Sequence, residues 1–232
     1  MNQTCKIRRI NVYPFISKDE LINFAINEKK ILIAINAEKI LRNDDRLVNL
    51  INNNIGYADG IGAVWALKKK GYKNVIKIPG VELWLDIIKK FYNSKTFYLI
   101  GSIDEVINAC YNKLINNFPG IKILGYHSGY FNDEEKIKII NDIILKKPDI
   151  IFVAMGSPRQ EYFMEELSLV HKATYMGLGG SFDVYTNKVK RAPKIFISLG
   201  LEWFYRLIKQ PFRIKRQIVL VKFLIILLFN KL

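Results

Sequence analysis

The stretch DIIFVAMGSPRQEYFM, residues 149–164, contains the change of pattern that decides the fold. Its first seven residues, 149–155, are typical of a buried strand and are followed at once by Gly156, Ser157 and Pro158. A glycine, a serine and a proline after a strand indicate a sharp turn, and the mixed polar and apolar residues beyond them indicate a helix. The stretch therefore predicts a strand–turn–helix unit of an α/β protein.

The same alternation of apolar runs and amphipathic stretches extends over most of the chain. The other runs typical of strands are ILIAI (31–35), IGYA (55–58), FYLIG (97–101), IKILGY (121–126) and ATYMGLG (173–179). Apolar residues at helical spacing lie between these runs, at 81–92, 103–117 and 134–146. Strands that alternate with helices predict a Rossmann-like, mostly parallel sheet with helices on both faces. We assign residues 1–190 to this α/β domain and residues 191–232 to a C-terminal appendage.

The composition excludes several classes of protein. A chain of 232 residues, half of them hydrophobic, can bury one large core. Cys5 and Cys110 are far apart and form no CxxC pair, so neither a disulfide framework nor a zinc site is predicted. The first residues contain no apolar segment typical of a signal peptide, so we expect a cytoplasmic protein. No feature of the sequence predicts a cofactor.

The positive charge is concentrated near the C-terminus. The formal net charge is +15, and ten Lys or Arg residues lie between Lys188 and Lys222, where Glu202 is the only acidic residue. The apolar run 218–229 follows Pro211 and is far shorter than the roughly 20 residues needed to cross a bilayer. We expect this segment to lie in the headgroup region on the inner face of the cytoplasmic membrane. The alternative is a C-terminal helix packed on the core with a solvated basic face.

The turn at 156–161 has two interpretations. In the first, Ser157 is the N-cap of the following helix, Pro158 belongs to its first turn, and Gln160 completes a capping box. In the second, the end of the strand and the start of the helix form a ligand crevice, and Gln160 and Glu161 contact the ligand. The local sequence is compatible with both interpretations.

Two further glycine-rich turns carry a carboxylate. In YADGIG (57–62), Asp59 is either an ordinary turn residue that caps the next helix or a general base at a strand end. In GLGGSFD (177–183), Asp183 follows a strand whose glycines would allow close approach of a phosphate. Neither His127 nor His171 has a cysteine or carboxylate at metal-ligand spacing, and the sequence has no D-x-D triplet. We therefore predict no metal site.

Seven segments, in order along the chain, resemble the WecG/TagA/CpsF family of bacterial glycosyltransferases. They are LIAINAEKIL (32–41), YADGIG (57–62), IPGVELW (78–84), GYF (129–131), VAMGSPRQEYFM (153–164), YMGLGGSFDV (175–184) and KRAPKIFISLGLEWFYRLIKQPFRIKRQ (190–217). The resemblance implies an inverting transfer, without a metal, from a UDP-sugar donor to the 4-hydroxyl of N-acetylglucosamine on undecaprenyl pyrophosphate. The implied sugar is N-acetylmannosaminuronic acid, as in enterobacterial common antigen synthesis, or N-acetylmannosamine, as in teichoic-acid synthesis.

The resemblance also implies roles for individual residues. Asp59 matches the family's proposed base, and Asn36 lies in the matching N-terminal pocket motif. Lys77 and Glu82 stand where relatives often carry arginine and aspartate. The candidate substrate-binding residues are Lys77, Gly101, Gly156, Pro158, Gln160, Glu161, Asp183, Arg191, Arg206, Arg213 and Arg216. The four arginines are expected to meet the diphosphate of the donor or of the acceptor.

The expected partners are the UDP-sugar, the lipid-linked acceptor and the anionic membrane surface, and association into a homo-oligomer is left open. A nucleic-acid-binding protein would use the same basic segment, but its aromatic residues alternate with aliphatic ones rather than forming a stacking groove. A dinucleotide oxidoreductase would share the sheet, but no G-x-G-x-x-G follows a strand here. We therefore expect neither nucleic acid nor a nicotinamide cofactor as a ligand.

Overall fold

The computed structural model describes residues 3–193, 195–196, 202–209 and 214–229, without the side chains of residues 202, 203, 206, 209 and 214–218. The strands are β1 (Cys5–Ile7), β2 (Ile10–Val12), β3 (Ile31–Ile35), β4 (Ile55–Ala58), β5 (Thr96–Gly101), β6 (Lys122–His127), β7 (Ile150–Ala154) and β8 (Thr174–Gly177). The helices are α1 (Lys18–Glu28), α2 (Ala37–Leu41), α3 (Asp45–Asn53), α4 (Ile61–Lys69), α5 (Gly80–Phe91), α6 (Asp104–Asn117), α7 (Asp133–Lys146), α8 (Arg159–Val170), α9 (Ser181–Tyr185), α10 (Glu202–Lys209) and α11 (Ile214–Leu228).

Six strands form one sheet in the order β4-β3-β8-β7-β5-β6, and every pair in it is parallel. The prediction of a mostly parallel sheet is therefore confirmed. β3 and β4 begin and end at the predicted residues, and β7 is buried along its whole length, as its run of apolar residues predicts.

Helices cover both faces of the sheet, as predicted. On one face, α3, α4, α7 and α8 contribute buried apolar residues to the first core. On the other face, α1, α5, α6 and α9 contribute to the second core, in which Trp84 packs edge-on against Phe152 and Phe182. Because helices cover both faces, the polar residues that follow the strands lie at the strand ends.

A small antiparallel hairpin, β1–β2, lies outside the main sheet and was not predicted. Its strands are three residues long, which is too short for a periodic pattern to be recognised. The segment after β2 is held by a hydrogen bond from the Tyr13 N–H to the Gly56 carbonyl (2.8 Å). The hairpin therefore lies next to β4, which is an edge strand of the main sheet.

Helix α11 packs on the α/β domain against α2 and α4. Its Phe223 is 1% exposed and lies against Gly62, and the Lys69 ammonium donates to the Leu227 carbonyl at the end of the helix. Its outward side is exposed and carries Lys222 together with the apolar residues Val221, Leu224, Ile225, Leu228 and Phe229. These apolar residues are called the apolar stripe below. The division of the chain at residue 190 stays a prediction.

Within the described ranges, no helix combines the length and the apolar character needed to cross a membrane. The sequence predicts that Pro211 separates two helices, since proline interrupts a helix. Two helices, α10 and α11, do lie on either side of Pro211, which itself falls outside the described residues.

Candidate active site

The described candidate residues that precede Arg191 lie at or beside one edge of the sheet. All six strands are parallel, so their carboxyl ends face the same way. Asn36 follows β3, Asp59 follows β4, Gly101 ends β5, Gly156 follows β7 and Asp183 lies in the helix after β8. Residues far apart in sequence are thereby placed along a single edge.

Asp59 caps a helix, but not the one predicted. Helix α4, which follows it, has Gly60 as its N-cap and no side-chain hydrogen bond there. Instead, Asp59 Oδ1 accepts from the N–H of Gly80, the first residue of α5, at 2.6 Å. The start of α5 lies beside the end of β4 because the Ile78 N–H donates to the Ala58 carbonyl (2.8 Å). The carboxylate is thus fixed at a helix N-terminus, where negative charge is favourable.

Asn36 and Asp59 lie next to each other at neighbouring strand ends. The N–H groups of Asp59 and Gly60 both donate to the Ile35 carbonyl, at 3.1 and 3.2 Å. Asn36 is the N-cap of α2, and its Oδ1 accepts from the Lys39 N–H at 3.0 Å. Lys77 is half-buried and directly precedes Ile78, whose N–H bonds to the end of β4. The structure therefore brings Asn36 and Asp59 together and places the backbone of Lys77 next to the end of β4.

Tyr57 lies beneath this group and was not predicted. Burial raises the pKa of its hydroxyl well above the ordinary value, and the charges of Asp59 and Glu161 raise that pKa further. Its Oη is buried and has no hydrogen-bond partner among the described residues. A Cβ at Gly80 would lie 2.9 Å from this oxygen, so α5 approaches Tyr57 closely only because residue 80 is glycine. The hydroxyl therefore stays protonated beside two carboxylates.

The capping box predicted at 157–160 is wrong. Helix α8 begins at Arg159, its N-cap is Pro158 without a side-chain hydrogen bond, and the Ser157–Pro158 peptide is cis. Gln160 does not reach back to Ser157, because its side chain is buried in the interior of the site. Its Oε1 accepts from the Gly179 N–H at 2.9 Å, and its Nε2 donates to Glu161 Oε1 at 3.2 Å. Gln160 thus connects the loops that follow β7 and β8.

Glu161 and Lys39 form a buried ion pair next to Gln160. Their side chains are 1% and 7% exposed, and Lys39 Nζ lies 2.7 Å from Glu161 Oε1. Lys39 Nζ also donates to the Ala34 carbonyl at 2.9 Å. The second oxygen of Glu161, Oε2, is buried without a hydrogen-bond partner in the part of the chain that is described. This pair joins α8 to the end of β3.

A crevice is expected between β5 and β7, because the chain leaves these neighbouring strands in opposite directions along the sheet. A Cβ at Gly101 (φ 142°) would collide with the Ala154 carbonyl, so the two strand ends approach closely only with glycine there. Gly156 has a φ of 77°, and its backbone borders open space. Both predicted glycines therefore shape the crevice through backbone conformation.

A hydrogen bond spans this crevice. Ser102 Oγ donates to Asp183 Oδ1 at 3.1 Å, although Ser102 follows β5 and Asp183 follows β8. Because β7 lies between β5 and β8, this hydrogen bond joins segments that follow the strands on either side of β7. Asp183 is therefore placed in the predicted site, with Ser102 as an additional polar group.

A surface groove of about 440 Å³ adjoins the crevice at Met155 and Pro158. The cations that line it already have partners: Arg46 pairs with Glu165 and Lys136 with Glu166, while the Arg159 guanidinium lies 5.6 Å from the Phe131 ring centre. The side chains of the groove are therefore held largely by one another.

Arg191 pairs with Glu82 in the first turn of α5, at 2.8 Å. Lys18 also pairs with Glu82, at 3.1 Å. Although burial opposes it, hydrogen bonds from Arg191 and Lys18 lower the pKa of Glu82. Arg213 lies outside the described residues. Arg206 and Arg216 are described without their side chains.

Sequence reasoning missed Lys39, Tyr57, Gly80 and Ser102. Ser102 had a usable signal, because it directly follows Gly101 at a predicted strand end. Lys39 and Tyr57 had none, because a lysine in a helix and a tyrosine in a strand are most often surface and core residues. Across the described ranges, no three His, Cys, Asp or Glu side chains form a group that could hold a metal ion.

The fold and this site together define a class: an α/β protein that binds its ligand across the carboxyl ends of a parallel sheet. The chain belongs to the WecG/TagA/CpsF family of glycosyl transferases, whose family model matches residues 9–232. The protein is therefore a glycosyltransferase. The family serves the synthesis of surface polysaccharides and teichoic acids, and it implies a sugar donor and a lipid-linked acceptor.

Proposed function

We propose that the protein transfers N-acetylmannosaminuronic acid from UDP to N-acetylglucosamine on undecaprenyl pyrophosphate, as in enterobacterial common antigen synthesis. The proposal rests on the family and on the resemblance of LVHKATYMG (169–177) and of the C-terminal segment to the enzyme of that pathway. The alternative is transfer of N-acetylmannosamine in the synthesis of teichoic acid or another surface polysaccharide. The two donors differ by one carboxylate.

The observation that carries the mechanism is the position of Asp59. The acceptor hydroxyl oxygen attacks C1 of the sugar, its proton passes to the Asp59 carboxylate, and the bond from C1 to the diphosphate oxygen breaks. The electron pair of that bond leaves with UDP, and attack from the opposite face inverts the configuration. Asp59 is suited to this role because Gly80 fixes its carboxylate at a strand end beside Asn36.

We place the UDP of the donor in the crevice between β5 and β7. Gly101 and Gly156 allow a phosphate or a sugar ring to approach the backbone, and Ser102 and Asp183 offer hydroxyl and carboxylate groups to a nucleoside. Lys77 lies on the Asp59 side, where it would meet the developing charge of the diphosphate. Gln160 connects the loops that follow β7 and β8, so it lies between Asp59 and this crevice.

We propose that α11 docks on the inner face of the cytoplasmic membrane. The helix presents its apolar stripe outward, Leu228 is 75% exposed, and Phe223 fixes the opposite side to α2 and α4. Exposed apolar surface flanked by Lys and Arg is typical of a segment at the membrane interface. The helix packs beside Asn36 and Asp59 through α2 and α4, so docking would bring these residues close to a lipid-linked acceptor.

The deciding experiment incubates the protein with N-acetylglucosamine-pyrophosphoryl-undecaprenol and each UDP-sugar separately, and identifies the product by mass. We expect the disaccharide that contains N-acetylmannosaminuronic acid. A product formed from UDP-N-acetylmannosamine alone would favour the alternative. UDP-glucose and UDP-N-acetylglucosamine serve as controls, and transfer from neither N-acetylmannosamine-type donor would refute the proposed function.

A further inference from the structure

An unbroken chain of contacts links three strand ends beneath the candidate site. Asn36 Oδ1 accepts from the Lys39 backbone, Lys39 Nζ pairs with Glu161, Glu161 Oε1 accepts from Gln160 Nε2, and Gln160 Oε1 accepts from Gly179. These residues follow β3, β7 and β8, which are neighbours in the sheet. A displacement at one strand end is therefore transmitted to the other two through side chains.

This arrangement is costly if it serves only the fold. Two charged groups are removed from water, and one oxygen of Glu161 is buried with no hydrogen-bond partner among the described residues. Buried ion pairs often contribute less to stability than an apolar pair of the same volume. A buried carboxylate oxygen without a donor costs further free energy. The pair therefore requires an explanation other than stability.

The orientation of the Gln160 side-chain amide supplies one. With Nε2 toward Glu161 and Oε1 toward Gly179, both contacts join a donor to an acceptor. A flipped amide would place Nε2 against the Gly179 N–H and Oε1 against the Glu161 carboxylate, so that both contacts would be repulsive. The amide consequently has one favourable orientation, and the hydrogen bond to Glu161 is one of the two contacts that determine it.

We propose that Glu161, held by Lys39, is a positioning residue that fixes the side-chain amide of Gln160 for donor binding. The inference rests on the proposed function, in which Gln160 contacts the UDP-sugar. The sequence predicts Glu161 as a ligand contact, whereas in this proposal Glu161 acts through Gln160. Lys39 holds the carboxylate in place and neutralises its charge.

The test replaces the ion pair in two ways. In the double variant Lys39→Met/Glu161→Leu, an apolar pair fills the volume but gives Gln160 Nε2 no acceptor. In Lys39→Met/Glu161→Gln, the charges are removed but the new amide oxygen can accept from Gln160. We expect the leucine variant to lose about 10- to 100-fold in kcat/KM for the UDP-sugar, because the amide is misplaced. We expect the glutamine variant to remain within roughly threefold of the unmodified protein, because the hydrogen bond is retained.

A matched control removes another ion pair of the same helix. Lys136→Met/Glu166→Leu eliminates the pair that joins α8 to α7 without touching Gln160, and it should leave kcat/KM unchanged. Melting temperatures are measured for all variants. If the leucine variant does not fold, the glutamine variant decides the test. A folded glutamine variant that loses tenfold or more would overturn the proposal, as would a folded leucine variant with unchanged kcat/KM.

A measurement without donor separates this inference from the proposed function. The side-chain NH₂ signals of Gln160 and the backbone amide of Gly179 are followed by NMR in the free protein. Slow hydrogen exchange of both is expected in the unmodified protein and in the glutamine variant, and fast exchange in the leucine variant. Identical exchange in all three would overturn the positioning role. Absence of UDP binding by the unmodified protein, with these exchange differences present, would instead refute the proposed function.

Discussion

In the proposed mechanism, Asp59 is both the cap of α5 and the base that takes the acceptor's proton. Its Oδ1 accepts from the Gly80 N–H, so the carboxylate is fixed by the same contact that caps α5. A capping contact of this kind is worth about 0.5–2 kcal/mol, which is enough to hold a side chain in one rotamer. A base whose orientation is already fixed needs no rearrangement when the acceptor hydroxyl arrives.

Replacing Asp59 with asparagine should separate these roles. The amide oxygen of Asp59→Asn can still accept from Gly80, so we expect a melting temperature close to that of the unmodified protein. The amide does not take up the acceptor's proton, so turnover should fall by about 10²- to 10⁴-fold. Thermal unfolding measures the first effect and product formation under single-turnover conditions measures the second, while UDP binding by calorimetry checks that the donor site is intact.

Asp45→Asn is the matched control, because Asp45 is an exposed aspartate that pairs with Arg9. It should retain full turnover. If Asp59→Asn keeps more than half of the activity, Asp59 serves only as the cap of α5.

At the scale of elements, the first turn of α5 connects several parts of the protein. Gly80 donates to Asp59, and Glu82, two residues later, pairs with both Lys18 and Arg191. The segment after α9 is thereby tied to the helix that orients Asp59. Arg191, predicted to meet a diphosphate, holds this connection in the described structure.

The lowered pKa of Glu82 predicts a stability that depends on pH. Because the folded-state pKa is below the ordinary value of 4.5, the contribution of the pair is complete above that pH and is lost as pH falls through the folded-state pKa. Glu82→Gln should therefore be less stable than the unmodified protein at pH 7, and the difference should shrink below about pH 4.5. Urea unfolding at several pH values measures this difference. A difference that is constant with pH would contradict the prediction.

Helix α11 has two apolar sides that should respond differently to substitution. Ile225→Ser/Leu228→Ser alters the exposed apolar stripe, so vesicle binding should fall while the melting temperature stays nearly constant. Phe223→Ala removes a buried ring, so the protein should lose about 3–5 kcal/mol of stability. Vesicle co-sedimentation and thermal unfolding distinguish the two outcomes. A stripe variant that binds vesicles normally would refute membrane docking by this helix.

Most elements could be predicted because their patterns are local. ILIAI and IGYA are short apolar runs bounded by polar residues, and both became strands of those lengths. The hairpin β1–β2 could not, because strands of three residues give too little pattern. The capping box was wrong because buried contacts with Gly179 and Glu161 outweighed a local bond to Ser157. The contact with Gly179 joins residues 19 positions apart, so no local pattern reveals it.

The candidate site could be predicted only as a set of strand ends. Parallel strands place Asn36, Asp59 and Asp183 along one edge, and this follows from topology alone. The pairing of Lys39 with Glu161 depends on how α2 and α8 pack, and that of Asp59 with Gly80 depends on where α5 begins. Such contacts between distant segments are set by the tertiary structure, so a single sequence does not contain them in readable form.

At the scale of the whole molecule, the formal charge of +15 should strengthen binding to anionic membranes. We expect stronger binding to phosphatidylglycerol vesicles than to phosphatidylcholine vesicles, because anionic headgroups attract Lys and Arg by about 1 kcal/mol each near the surface. Added salt should weaken the binding without abolishing it, because screening leaves the apolar contacts intact. Co-sedimentation at low and high salt tests this expectation. Equal binding to both lipids at low salt would show that charge contributes nothing.

The position of β8 in the sheet has a consequence for how the chain folds during synthesis. β8 lies between β3 and β7 in the sheet. Ile31 of β3 therefore pairs with Tyr175 of β8, which is synthesised much later. Without β8, the strands β4–β3 and β7–β5–β6 are not joined, and β3 and β7 each keep an unpaired edge on the side that β8 occupies. Unpaired edges can bind the strands of other chains, and contacts so distant in sequence form slowly. The last strand to leave the ribosome is thus the one that closes both edges.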